Sequence, residues 1–173
     1  MDGFAGAGIH ISKETGEYIK GSPLIAMDTE IPFIGYYLVE NDTGKCNFLK
    51  KLIGEKNNVY LINDDCNVIL ESNIFPNIKY NQFRRSLCLL DPYGLELEWE
   101  VIQKAAEMST IETLINFPIM SINRNCVRKD FNKVTDKNKE KMTNFWGDDS
   151  WIESLYPEIE NDLFGYQEKQ PML

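Results

Sequence analysis

Two kinds of hydrophobic pattern alternate along the first two thirds of the chain. Short runs rich in β-branched and aromatic residues predict strands, and longer runs with apolar residues three and four positions apart predict helices. The predicted strands are Met1–Phe4, Phe33–Glu40, Val59–Asp64, Ser86–Asp91 and Ile111–Phe117. Near-continuous apolar runs such as SLCLL are typical of strands that are buried on both faces.

Helices are predicted between these strands. Gly21-Ser22-Pro23 is typical of a helix start, with the Ser22 side chain as the cap and Pro23 in the first turn. Two longer helices should each bury one apolar face, consisting of Cys46, Leu49, Leu52 and Ile53 in the segment Thr43–Ile53 and of Leu95, Trp99, Ile102 and Ala106 in the segment Leu95–Met108. Strands that alternate with helices indicate βαβ units, and therefore an α/β fold with a mainly parallel sheet.

The composition narrows the class of protein. The 173 residues are 43% apolar and 26% charged, which is typical of one globular domain and excludes a wholly disordered or collagen-like chain. A net charge of −9 disfavours nonspecific binding to duplex nucleic acid. Charge is uneven, however, because the segment Arg124–Lys141 holds seven Lys or Arg residues against three acids.

The chain has neither a signal peptide pattern nor an apolar run of the ~20 residues that a membrane span needs. Its four cysteines are widely spaced, which disfavours a zinc site and a disulfide framework. His10 is its one histidine, which disfavours a histidine-rich metal site and a serine–histidine triad. We therefore expect a cytoplasmic protein with reduced, structural cysteines, no metal and a surface-exposed His10.

Candidate binding residues follow the predicted strands, because ligands of open parallel sheets bind outside the carboxyl ends of the strands. The first strand leads into the sequence DGFAGAG, in which Gly6 and Gly8 would let the backbone approach a ligand closely. The glycine spacing differs from the G-x-G-x-x-G of dinucleotide-binding proteins, which disfavours a nicotinamide dehydrogenase.

Acids and amides end the next three strands. Glu40 could accept hydrogen bonds from ribose hydroxyls, or it could be a solvated acid at a strand end. Asn63 and Asp65 lie where an adenine edge could be read, although capping of the following helix is the favoured single role there. The fourth strand ends in Asp91-Pro92-Tyr93. A glycine loop, two acids and this motif after four consecutive strands are together stronger evidence for a binding site than each is alone.

The segments DGFAGAG, GSPLIA, YYLVEND, DDCN, LLDPYGLELEWE and INFPIMSINR occur in this order, and FWGDDSW follows them. Over essentially the whole chain they resemble the three-Cys-motif partner proteins, a bacterial family with the Rossmann-like fold of S-adenosylmethionine-dependent class I methyltransferases. The resemblance implies a cofactor site for S-adenosylmethionine formed by Asp2, Phe4, Gly6 and Gly8 at the methionine end, Glu40 at the ribose and Asp65 on the adenine side.

Asp91-Pro92-Tyr93 resembles the D-P-P-Y motif of amino-group methyltransferases, with one proline fewer. The resemblance implies that these three residues are catalytic: they would orient an amino or amide nitrogen on a nucleic-acid base or a partner protein. It also implies a three-cysteine-motif protein as partner, and it makes the segment Arg124–Lys141 a candidate contact for nucleic acid. The alternative is a Rossmann-like scaffold that has lost turnover.

The resemblance further implies one methyltransferase-like domain over residues 1–173, with a cofactor-binding core to residue 120 and a helical, partly basic segment from residue 121. The chain would begin inside the first strand and stop at Gly165–Leu173, where the closing antiparallel hairpin of the family begins. Met1–Phe4 should then lie between Phe33–Glu40 and Ser86–Asp91, and Ile111–Phe117 should form an exposed edge.

Overall fold

The computed structural model describes residues 1–157, so the hairpin expected at Gly165–Leu173 lies outside the described residues. The chain forms two compact units. The first consists of Met1–Asp91 and Val101–Asn116, and the second consists of Pro92–Glu100 and the described residues from Phe117 onward.

The first unit is mixed α/β with parallel strand pairs. Its strands are β1 (Ile9–Ile11), β2 (Tyr18–Lys20), β3 (Tyr36–Val39), β4 (Val59–Ile62), β5 (Ser86–Leu90) and β6 (Ile111–Ile115). β3 pairs with β4 in parallel, with Tyr36 opposite Val59, and β5 pairs with β6 in parallel, with Ser86 opposite Ile111. The mainly parallel sheet expected from the apolar runs is thus present.

The opening residues join the two parallel pairs. Asp2 forms parallel bridges with Leu38 of β3 and with Leu89 of β5. The Asp2 N–H donates to the Tyr37 carbonyl at 2.8 Å, and the Leu89 N–H donates to the Met1 carbonyl at 2.9 Å. The spatial order is therefore β4, β3, the Asp2 segment, β5, β6, and the position of the Asp2 segment between β3 and β5 is the one predicted.

The helices are α1 (Ser22–Met27), α2 (Thr43–Ile53), α3 (Cys66–Ile69), α4 (Trp99–Met108), α5 (Ile119–Asn125), α6 (Asp136–Trp146) and α7 (Ser150–Leu155). α3 continues into a π turn at Leu70–Ile74 and a 3₁₀ turn at Phe75–Asn77, and further 3₁₀ turns occupy Tyr80–Gln82 and Phe131–Lys133. None of the helices within residues 1–157 is long and apolar enough to cross a membrane.

α2 has the bounds that its sequence predicts, because both ends are signalled locally. The Asp42 side chain caps the amino end by accepting from the Lys45 N–H at 2.8 Å, and Gly54 ends the helix at φ +69°. On its buried face Leu49 packs with Ala5 and Leu38 in one hydrophobic cluster of the first unit. Leu52, predicted on this face, is exposed.

In the second unit a buried tyrosine holds the segment that follows α5. The Tyr156 hydroxyl donates to the Cys126 carbonyl at 2.6 Å and accepts from the Arg128 N–H at 2.7 Å. Gly147 ends α6 at φ +103°, and the Trp99 ring covers it so closely that a Cβ there would lie 2.6 Å from the ring. The prediction that Trp99 lies in the core is wrong: Trp99 covers this turn and is 41% exposed.

Two further predictions need correction. The capping role of Ser22 is wrong, because Gly21 is the N-cap of α1 without a side-chain cap bond and the Ser22 hydroxyl donates elsewhere. The strands are also shorter than the apolar runs: β3 begins at Tyr36, where the Tyr36 N–H donates to the Asn58 carbonyl, and not at Phe33.

The four cysteines are buried and none forms a disulfide. Burial raises the pKa of the Cys66 and Cys88 thiols to about 12, so both remain protonated at neutral pH. Raised pKa values make thiols poor nucleophiles, which agrees with the structural role expected for them. His10 is exposed on β1, as predicted.

Candidate functional site

The glycine loop after Asp2 comes close to the carboxyl end of β3. Gly6 has φ +63°, and a Cβ built there would meet nothing within 4 Å, so the backbone faces open space. Gly8 has φ +78°, and its Cβ would lie 2.5 Å from Leu49 Cδ1. The loop therefore needs glycine at both positions: at Gly6 for the conformation, and at Gly8 also for packing.

Glu40 connects the loop to the sheet. It follows β3 directly and is 6% exposed. Its Oε2 accepts from the Gly6 N–H at 2.8 Å, and its Oε1 accepts from the Asp42 N–H at 2.8 Å. No Lys or Arg pairs with this carboxylate in the described part of the chain. Two backbone dipoles thus fix the orientation of a buried carboxylate that no basic side chain within residues 1–157 neutralises.

Asn63 lies at the carboxyl end of β4, against the backbone carbonyls of Glu40 and Asn41. Its Nδ2 donates to the Glu40 carbonyl at 2.7 Å and to the Asn41 carbonyl at 3.0 Å. The side chain amide is therefore committed to the turn between β3 and α2. The role of reading an adenine edge, which its position at a strand end left open, stays a prediction.

Asp65 has the capping role that its position favoured. Its Oδ1 accepts from the Asn67 N–H at 2.9 Å, and this bond makes it the N-cap of α3. The Asp65 N–H donates to Asp64 Oδ1 at 2.8 Å. These bonds fix the backbone after β4, two residues beyond Asn63.

Asp2 is a second buried acid in the first unit and is 5% exposed. Its Oδ1 accepts from the Phe4 N–H at 3.1 Å, and its Oδ2 accepts from the Ser22 hydroxyl at 2.6 Å. Burial raises the pKa of Asp2, the two hydrogen bonds oppose this rise, and the negative charge of Asp91 adds to it.

Asp91 follows β5 and is exposed. Its Oδ1 accepts from Asn116 Nδ2 at 2.7 Å, and the Asn116 N–H donates to the Leu90 carbonyl at 2.9 Å. Asn116 therefore fixes one carboxylate oxygen of Asp91 from the end of the neighbouring strand. Pro92 and Tyr93 belong to the second unit, in which Pro92 is buried and Tyr93 is 71% exposed.

The structure thus brings some of the predicted residues together directly. Gly6 and Glu40 share a hydrogen bond across 34 residues of chain, and Phe4 contributes its N–H to Asp2. Sequence reasoning missed Ser22 as a partner of Asp2 and Asn116 as a partner of Asp91. The position of Asn116 at a strand end, within INFP, could have indicated its role. Ser22 lies in a Gly-Ser-Pro sequence that predicts a helix cap, so nothing in the sequence indicated its bond to Asp2.

The arrangement presents hydrogen-bond acceptors at the carboxyl ends of adjacent parallel segments. It combines open backbone at Gly6 with carboxylates that accept hydrogen bonds and attract positive charge. No group of three or more His, Cys, Asp or Glu side chains that could hold a metal ion occurs within residues 1–157. Comparisons of the chain with protein-family models, with curated proteins and with solved structures found no match.

Proposed function

We propose that the chain is a Rossmann-like, S-adenosylmethionine-dependent methyltransferase of the three-Cys-motif partner type. The single observation that supports this most strongly is the 2.8 Å hydrogen bond from the Gly6 N–H to Glu40 Oε2. It joins an open glycine loop to a buried acid at the ends of adjacent parallel segments, where ligands of such sheets bind. The sequence resemblance supplies the identity of the cofactor.

The residues at these strand ends fit the cofactor. A carboxylate oxygen has about two lone-pair sites, so each Glu40 oxygen retains one after accepting its backbone N–H, and the pair could receive the two vicinal ribose hydroxyls. The open space at Gly6 would admit the methionine end, and the charge of Asp2 would attract the sulfonium. Asp65 would lie on the adenine side.

When bound, S-adenosylmethionine supplies an electrophilic methyl group on sulfur. Asp91 would accept a hydrogen bond from the acceptor nitrogen and so direct the nitrogen lone pair towards that methyl group. Its carboxylate is suited to this because Asn116 holds Oδ1 in place while the residue stays exposed. Pro92 and Tyr93, which follow in the chain, keep the roles that the D-P-P-Y resemblance implies.

The acceptor is an amino or amide nitrogen on a nucleic-acid base or on a partner protein, with a three-cysteine-motif protein as the expected partner. The second unit offers a basic surface for nucleic acid. Asp130 caps the 3₁₀ turn that follows it and Asp136 pairs with Lys139, so two of the three acids are occupied locally. The exposed cations there are Arg124, Arg128, Lys129, Lys133 and Lys137. The proposal places the protein in the cytoplasm, where a reducing environment keeps cysteines free of disulfides, as these four are.

A second function, a scaffold without turnover, is favoured by one observation. Both oxygens of Glu40 and both oxygens of Asp2 accept hydrogen bonds from the chain itself. Such acids also brace turns in proteins that bind no ligand. An assay for methyl transfer to candidate acceptors separates this function from catalysis.

Calorimetric titration with S-adenosylmethionine tests the proposed cofactor. The wild-type chain should bind it, and Glu40→Ala should weaken binding by about 1.5–3 kcal/mol, the usual contribution of hydrogen bonds to charged groups. Glu55→Ala, which removes an exposed acid just after α2, is the matched control and should bind like the wild type. Equal affinity of the Glu40 variant would remove this residue from the site, and a preference for NAD would reject the proposal.

A further inference from the structure

One amide side chain ties together the turn that carries Glu40. Pairing between β3 and β4 ends where the Glu40 N–H donates to the Ile62 carbonyl at 3.0 Å. Asn63, the first residue after β4, continues the connection between the two segments through its side chain. Its Nδ2 donates to the carbonyls of both Glu40 and Asn41, at 2.7 Å and 3.0 Å.

The same turn also sets the direction of the Glu40 carboxylate. Glu40 Oε1 accepts from the Asp42 N–H, which is in the turn, whereas Oε2 accepts from the Gly6 N–H, which is in the glycine loop. The Asp42 side chain in turn caps α2. If the turn opened, the Asp42 N–H would move away and the carboxylate would lose one of its two fixed contacts.

Few side chains can do what Asn63 does. Two carbonyl oxygens must be satisfied by one group, so that group needs two N–H donors at the reach of a single methylene. Aspartate has the same shape but would place a carboxylate against two carbonyls, and serine has one donor. The requirement for an amide here is therefore chemical and not only steric.

We propose that Asn63 is a positioning residue for ribose recognition: it holds the turn from Glu40 to Asp42 so that the Glu40 carboxylate faces the two ribose hydroxyls of an adenosyl ligand. This inference rests on the proposed function. It assigns Asn63 no contact with the ligand, and it predicts that Asn63 acts only through Glu40.

The test compares two ligands that differ only where Glu40 would act. S-adenosylhomocysteine carries both ribose hydroxyls, and its 2′-deoxy analogue lacks one. Their affinities are measured by calorimetry for the wild type, Asn63→Ala, Glu40→Ala and the double variant. Asn58→Ala is the matched control, because Asn58 is exposed and contributes its backbone carbonyl to the sheet.

We expect Asn63→Ala to weaken binding of S-adenosylhomocysteine by about 3- to 10-fold, the effect of one net hydrogen bond. Binding of the 2′-deoxy analogue should fall by a clearly smaller factor, and the double variant should bind no more weakly than Glu40→Ala. The control should bind both ligands like the wild type. Asn63→Ser keeps one donor and should fall between the wild type and Asn63→Ala, and it replaces the alanine variant if that variant fails to fold.

Three results would overturn the inference. An equal loss for both ligands would show general destabilisation, additive losses in the double variant would show action independent of Glu40, and unchanged affinity for S-adenosylhomocysteine would show no role. These results require that the wild type bind. If the wild type binds neither ligand, the proposed function fails, and the inference fails with it. If the wild type binds and one of the three results above is found, only the inference about Asn63 fails.

Discussion

Removal of the Glu40 carboxylate should destabilise the first unit even without ligand. Glu40→Ala leaves the half-buried Gly6 N–H without its acceptor, and an unsatisfied buried donor costs about 1–3 kcal/mol. The Asp42 N–H loses its acceptor as well, but Asp42 is exposed and water can replace the carboxylate there. The free energy of unfolding should therefore fall by about 1–3 kcal/mol. Glu40→Gln keeps one acceptor oxygen and should lose less.

The assay must report on the first unit. Trp99, Trp146 and Trp151 all belong to the second unit, so tryptophan fluorescence would follow that unit instead. Hydrogen exchange of the Gly6 amide as a function of urea concentration gives the required signal, because Gly6 belongs to the first unit. Backbone circular dichroism follows the unfolding of both units alongside it. Glu55→Ala is again the control. If Glu40→Ala were as stable as this control and the Gly6 amide exchanged no faster, the role of this carboxylate in the loop would be refuted.

Three further predictions concern Asp91, Asp2 and the two glycines of the loop. If the proposed function is right, Asp91→Ala should abolish methyl transfer while leaving S-adenosylmethionine affinity nearly intact, because Asp91 would contact the acceptor and not the cofactor. Retained turnover in a radiolabel assay would contradict this. Burial raises the pKa of Asp2 above 3.8, so this carboxyl binds its proton more tightly in the folded than in the unfolded state, and stability is lost as pH rises through the folded pKa. Asp2→Asn removes this loss, so its urea midpoint should gain on the wild type as pH rises from about 4, whereas parallel pH curves would contradict the shift. Gly8→Ala should lower the free energy of unfolding by about 2–4 kcal/mol, because the positive φ and the clash of the new Cβ with Leu49 both destabilise the fold. Gly6→Ala should lower it by only about 1–2 kcal/mol, because only the positive φ contributes there. Equal shifts of the melting temperature in the two variants would contradict the packing at Gly8.

Much of the first unit could be predicted because its signals are local or periodic. The apolar run of β5 marks a strand buried in a parallel sheet, and Asp42 and Gly54 mark the two ends of α2. The hairpin of β1 and β2 could not be predicted in the same way. Its two strands have three residues each and are largely exposed, so no burial pattern distinguishes them from a loop.

The residues of the candidate site also differ in how far the sequence predicts them. Gly6 and Glu40 could be predicted because the carboxyl ends of adjacent parallel segments must meet at one edge of a sheet. The partners of the acids could not, because each arrives from a distant part of the chain. Ser22 reaches Asp2 across 20 residues, and the local Gly-Ser-Pro pattern pointed to a cap instead. Asn63 had the right position for a ligand contact, but the turn after β3 takes its amide.

The most direct test of the central claim is a nuclear magnetic resonance titration of the ¹⁵N-labelled chain with S-adenosylhomocysteine. If Glu40 and the glycine loop form the cofactor site, the amide resonances of Gly6, Gly8 and Asp42 should move together and saturate at one equivalent of ligand. The amide of Glu55 should not move. Saturable binding that leaves the Gly6 and Asp42 resonances in place, or no binding at all, would contradict the account.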